Sequence, residues 1–231
     1  MGTLNFTQLQ ASLVLELGNR TDLGSYTDDW INTAYTDFCS RTEFWGLKFP
    51  QAFTFPELDV PATPVNTVAG TAYIAAPSDC LFIHSVWDGT NDRKLTRIPS
   101  VRKYVEKTGR ATTASRGKPT EWIRFANDSG VSRIYLYPTP DAVYAMTAYY
   151  RKRPALLTGT GTTEIGAEWD EPILKLAVIQ SMMRLHDYEK AAIEKKEWLD
   201  MMAGKLGFYK KEEKDGSHQF SVDTAYKSYG Y

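Results

Sequence analysis

Gly159-Thr160-Gly161-Thr162-Thr163-Glu164-Ile165-Gly166 stands where phosphate-binding loops are built, after a run that reads as a strand and before one that reads as a helix. Its spacing does not serve that chemistry. A dinucleotide fingerprint needs a third glycine at position 164, where the chain has Glu164, and the Gly-Lys-Ser/Thr of a P-loop is absent. Glu164, Glu168, Asp170 and Glu171 could be drawn as a cation site, but acids at a helix start are stabilised by the helix dipole without any ion. Asp88, Asn91 and Asp92 lack the ligand spacing and closing Glu of a calcium loop and read as a hairpin turn. His84, His186 and His218 stand in no metal-binding pattern, and no G-x-S-x-G supports a Ser-His-Asp arrangement. Cys39 and Cys80 have no C-x-x-C partner and read as buried free thiols. The expectation is a protein without catalytic residues, metal or cofactor.

Two stretches remain as candidate contact surfaces. The polar, glycine-bearing segment from Lys107 to Lys118 reads as an exposed loop, and Arg110, Arg116 and Lys118 within it could meet passing DNA backbone or an acidic neighbour. Residues 215–231 carry Phe220, Val222, Tyr226, Tyr229 and Tyr231 among polar residues with no sustained period. They cannot bury enough surface to fold alone, so they read as an extended tail that orders on a partner as an attachment arm.

The elements that must position these stretches follow from periodicity. Thr7 and Gln10 have capping-box spacing ahead of Leu9, Leu13 and Leu17, and Thr27 offers an N-cap for a helix bearing Trp30, Ile31, Ala34, Tyr35, Phe38 and Cys39. Prolines then punctuate short β-type runs at 53–58, 67–74, 80–87, 93–98, 121–127, 132–137 and 143–153, and Ser100 caps a short helix between them. After a Thr/Gly linker, Trp169-Asp170-Glu171-Pro172 opens a helix that is apolar on most sides, with Pro172 suited to the first helical position. His186-Asp187 offers a break, Asp187 capping a second, one-faced helix. The core of the helical part is expected to contain Leu13, Trp30, Tyr35, Phe38, Leu176, Ile179, Met183, Trp198 and Leu199. The fold class is therefore α+β: a small bundle from N- and C-terminal helices with an inserted antiparallel β domain and an extended C-terminal tail. The expected divisions are 1–50, 51–156, 157–214 and 215–231.

With 231 residues, 42% hydrophobic and 24% charged, the composition is that of a globular protein able to bury a core. The net charge of −1 is unlike that of a tight nucleic-acid binder. No signal peptide or bilayer-spanning run is legible, so cytosol-like surroundings are expected and no membrane contact. A carbohydrate-binding or tail-spike-associated module using Trp87, Trp122 and neighbouring Tyr is the alternative; exposure of Trp45, Trp87 and Trp122 together would favour it. A cell-wall hydrolase would require a carboxylate pair at an exposed cleft.

Trp30-Ile31-Asn32-Thr33-Ala34-Tyr35 on an early helix, Ile134-Tyr135-Leu136-Tyr137-Pro138-Thr139-Pro140 on a strand, Tyr149-Tyr150-Arg151-Lys152-Arg153-Pro154 closing the sheet and Trp169-Asp170-Glu171-Pro172 opening the hairpin occur in an order that resembles the head-to-tail adaptor (connector) proteins of short-tailed bacteriophages. The resemblance covers nearly the whole chain before the tail. It implies a structural virion protein, assembled in host cytoplasm, that forms a homo-oligomeric ring in the neck, expected to be twelve-fold. Such a ring sits beneath the portal protein, extends the channel for double-stranded DNA and docks tail nozzle or tail tube proteins.

Overall fold

The computed structural model describes residues 4–49, 55–109, 115–126 and 129–214. The expectations for Arg110 and for residues 215–231 lie outside them. Among the described residues there are five α-helices: α1 (Phe6–Glu16), α2 (Gly24–Ser40), α3 (Val101–Thr108), α4 (Asp170–Arg184) and α5 (Tyr188–Lys214). The chain forms two compact units, one from residues up to Glu57 together with those from Pro154 onward, the other from Leu58–Arg153. The fold class is α+β, as expected.

The helical unit contains α1, α2, α4, α5 and a short hairpin of β1 (Glu43–Phe44) and β2 (Leu47–Lys48). Asn5, not Thr7, caps α1: its Oδ1 accepts from the Gln8 amide at 2.9 Å, and Gln8 Oε1 accepts from the Asn5 amide at 2.9 Å. Thr7 instead donates its hydroxyl to Gly159 O. A 3-10 turn over Thr21–Leu23 starts the second winding early, so Thr27 lies buried inside α2, donating to Gly24 O, and is not its cap. Likewise α4 begins at Asp170, so Pro172 is its third residue, not its first. The break between α4 and α5 falls where expected. His186 turns left-handed at φ 61°, and Asp187 Oδ1 accepts from the Lys190 amide at 3.4 Å.

Phe38 is the hub of the helical core. Its ring lies 5.7 to 6.4 Å, centroid to centroid, from Phe44, Phe49, Phe55, Trp169 and Trp198. Trp198 is buried with its indole N–H satisfied by Pro172 O at 2.9 Å, the condition for placing an indole in a core. Leu13, Trp30, Tyr35, Leu176 and Ile179 are also buried, and Leu199 is half-buried. Met183 is a correction: one residue, about 100° of helix, beyond buried Met182, it is 44% exposed. The apolar run of α4 covers more of its circumference than its neighbours do. Tyr188, the first residue of α5, is exposed as well.

The second unit contains β3 (Asp59–Pro61), β4 (Val65–Asn66), β5 (Tyr73–Ala75), β6 (Cys80–Asp88), β7 (Arg93–Lys94), β8 (Thr96–Arg97), β9 (Arg116–Gly117), β10 (Glu121–Ala126), β11 (Ser132–Tyr137), β12 (Thr139–Pro140) and β13 (Ala145–Lys152), with α3. One sheet has five strands, ordered β3-β13-β6-β7 with β4 also on β13; another is ordered β5-β11-β10-β8. Pairing is antiparallel apart from β8–β10 and the separate pair β9–β12, which are parallel. Ile83, Val86, Met146 and Ala148 of the first sheet meet Ile74, Trp122, Ile134 and Leu136 of the second in one buried cluster. The expected strand 93–98 is two pieces, because buried Leu95 lies between β7, which pairs with β6, and β8, which pairs with β10. Of the expected strand 67–74 only Tyr73 and Ile74, in β5, are in a strand, and Pro56–Leu58 of the expected 53–58 strand is a 3-10 turn.

Candidate interaction surfaces

The linker that stood where a phosphate loop could be is used as a structural strap. The Phe6 amide donates to Gly161 O at 2.8 Å, Asn5 and Thr162 form an antiparallel bridge, and the Glu164 amide donates to the Tyr35 hydroxyl at 2.8 Å. Burial raises that phenol well above its usual range, against the pull of the Glu164 hydrogen bond, so it stays neutral. Asn32 exchanges two hydrogen bonds with Leu157, donating to its carbonyl at 3.1 Å and accepting from its amide at 2.7 Å. Asp170 does more than complement the α4 dipole. Its buried carboxylate accepts from the Leu4 amide and the Thr163 hydroxyl, both at 2.7 Å. These bonds commit the Asp170 carboxylate and the Glu164 amide to holding the strap.

The other candidates resolve similarly. Buried Asp88 closes its turn by accepting from the amides of Thr90 and Asn91 and from the Asn91 side chain. His84 lies 2.9 Å from Asp59, which also takes a two-point bond from Arg151 at 2.9 Å on each oxygen. Burial works to raise the Asp59 carboxyl, but the bonds from His84 and Arg151 and their charge outweigh it and hold it below the usual range. Cys39 and Cys80 are buried and free of disulfide, and burial pushes the Cys80 thiol up. Among the described residues no three His, Cys, Asp or Glu converge as metal ligands, and no helix is long and apolar enough to cross a membrane.

The tryptophans divide. Trp122 is 1% exposed and belongs to the β core, whereas Trp45 and Trp87 are 37% and 36% exposed and belong to different units. The three do not form one exposed set, so the arrangement that would favour a sugar platform is not met.

Of the basic loop, Lys107 belongs to the last turn of α3, ion-pairs with Glu121 and stands 5.5 Å over the Tyr137 ring. Arg116 and Lys118 are exposed; Arg116 is in β9, beside Gly70, and Lys118 Nζ donates to Asn91 Oδ1 at 3.2 Å. The structure thus draws Lys118 toward the β6–β7 turn, next to Arg93 and Lys94. A wider feature had been hidden by the near-zero total charge. Residues 58–153 hold 14 Lys and Arg against 8 Asp and Glu, net +6, while the rest of the chain holds 13 against 20, net −7. Counting charge by segment rather than by chain would have found it.

The comparisons with known proteins follow the same lines. No curated protein matches the chain. The family model described as SU10 adaptor protein matches residues 4–222, which includes all four motifs that carry the resemblance, the whole of the β unit and most of the helical unit. The chain therefore belongs to the SU10 adaptor protein family, consistent with a bacteriophage head-to-tail adaptor, a structural component of the virion.

Proposed function

We propose that the protein forms a homo-oligomeric ring in the virion neck, beneath the portal protein, where it extends the DNA channel and docks the tail nozzle or tail tube. The observation that carries this reading is the family match over residues 4–222. The charge division supports it, since a net charge of +6 on one unit gives a local surface for DNA backbone or an acidic partner while the chain as a whole stays near neutral and does not hold its cargo tightly. Exposed Arg116 and Lys118, with Arg110, are the residues assigned to that surface. The aromatic segment with Phe220, Val222, Tyr226, Tyr229 and Tyr231 is assigned to attachment on the portal or a neighbouring subunit.

Electron microscopy of the purified protein with filled heads tests the reading. A ring of density at the head vertex, twelve-fold in projection, is the expected result. Heads that acquire no such density when the protein is added, or a protein located elsewhere on the virion, would overturn it.

A further inference from the structure

The outer face of the five-stranded sheet exposes aromatic side chains. Along β13, Met146, Ala148 and Tyr150 point into the core, which sends Thr147, Tyr149 and Arg151 outward. The register places Trp87 of β6 between Thr147 and Lys94 of β7, and Phe82 beside Arg151. Trp87, Phe82 and Tyr149 are 36%, 37% and 44% exposed. Lys94 of β7 is exposed; exposed Arg97 belongs to β8 of the other sheet, and its guanidinium lies 5.4 Å over the Phe82 ring and 5.7 Å over that of Trp122. The carboxylate opposite Arg151, that of Asp59, is already held by Arg151 and His84 and does not cancel these cations. Aromatics on one sheet face with exposed Lys94 and Arg97 beside them match the residue types found at protein interfaces, where aromatics and Arg are enriched.

We propose that this face docks the helical unit of a second copy of the chain, and that this contact is the one that joins subunits around the ring; the inference rests on the ring reading above. Charge complementarity selects the occupant. The helical unit carries net −7 against +6 for the unit that bears the face. It also offers an exposed apolar side chain, Ile193, 60% exposed on α5. A DNA duplex satisfies the cations but keeps its bases stacked inside, and would leave Trp87 and Tyr149 against water. Contact between unlike surfaces of identical chains is head-to-tail and closes into a ring when the rotation per subunit divides a full turn.

Photo-crosslinking from particles carrying Tyr149→p-benzoylphenylalanine tests this. The expected product is an adduct of twice the chain mass whose crosslinked peptide lies in residues 4–57 or 154–214. Lys94→Glu in the same background should reduce that adduct by about threefold or more, since a charge at an interface margin acts chiefly on association. If the substitution at Tyr149 impairs assembly, the same probe at neighbouring Thr147 reports on the same face. Particles that contain the protein but yield adducts to DNA or to another protein, or no double-mass adduct, would overturn the inference and leave the adaptor reading standing. Particles containing no copy of the chain would remove the adaptor reading, and this contact with it.

Discussion

In the helical unit, distant segments are tied by buried or half-buried polar side chains that reach backbone groups: Asn32 to Leu157, Tyr35 to Glu164, Asp170 to Leu4, Trp198 to Pro172. In the β unit, backbone groups are largely satisfied by strand pairing, and the side chains that bridge strands are ion pairs and hydroxyl–carboxylate bonds, such as Asp59 with Arg151 and His84, and Tyr150 with Asp79. The difference follows from geometry. A helix completes its own hydrogen bonds, so an irregular strap lying on a bundle must find partners among side chains, whereas a strand completes its bonds on its neighbours. The two units should consequently fail in different ways.

The largest effect is expected from the hub of the helical core. Phe38→Ala removes a ring in contact with five others and should destabilise the helical unit by about 3 to 5 kcal/mol. Hydrogen exchange under mild denaturant should show α2 and α4 amides losing protection while β10 and β11 amides keep theirs. Equal loss in both sets would mean that the units unfold as one, and the contrast drawn here would fail.

A smaller loss, about 1 to 3 kcal/mol, is expected from Asp170→Ala, which leaves the Leu4 amide and Thr163 hydroxyl without their acceptor in a buried setting. The strap from Thr158 to Thr163 and the start of α1 should then exchange faster than the rest of the bundle. A variant as stable as the parent would show that Asp170 serves the helix dipole alone.

Asp59 gives the β unit its own pH signature. Its carboxyl is held below the unfolded value of about 3.9, so its contribution is complete above that pH and is lost as the pH falls through the lower folded value. Asp59→Asn should cost about 1 to 2 kcal/mol at neutral pH, reduced by the partial exposure of the cluster, and should flatten the acid limb of the β unit's stability below the unfolded carboxyl value. Urea titrations of parent and variant at pH 7 and pH 3 measure this; identical pH dependence would mean that other carboxylates govern the acid response.

The smallest effect on folding is expected at the basic surface. Replacing Arg116 and Lys118 by Gln should change stability by less than about 0.5 kcal/mol, because both are exposed. Particles assembled with the variant should nevertheless differ in DNA retention or in tail attachment. Normal particles would reduce these side chains to plain solvation.

Features that depend on neighbours within a few residues are legible in the chain alone. The break at His186-Asp187, the Ser100 cap, the alternation of Ser132–Tyr137 and most of the helical core around Trp30, Tyr35 and Phe38 follow from local backbone preference and periodicity, and they stand in the structure. The motifs that carried the family resemblance hold some of the side chains that tie distant segments: Asn32, Tyr35, Asp170 and Arg151 each bond across more than ninety positions or to a chain end. Long-range contacts settle the places where a local preference met a stronger distant partner. Thr7 and Thr27 are good cap residues by type, yet one is drawn to Gly159 and the other is enclosed within α2 because the winding begins earlier. Trp87 and Trp122 are alike in composition, but one faces out from its sheet and the other is enclosed between two. The charge of each unit was written in the chain from the start; it took the contact pattern, which joins the two ends and sets residues 58–153 apart, to show which charges belong together.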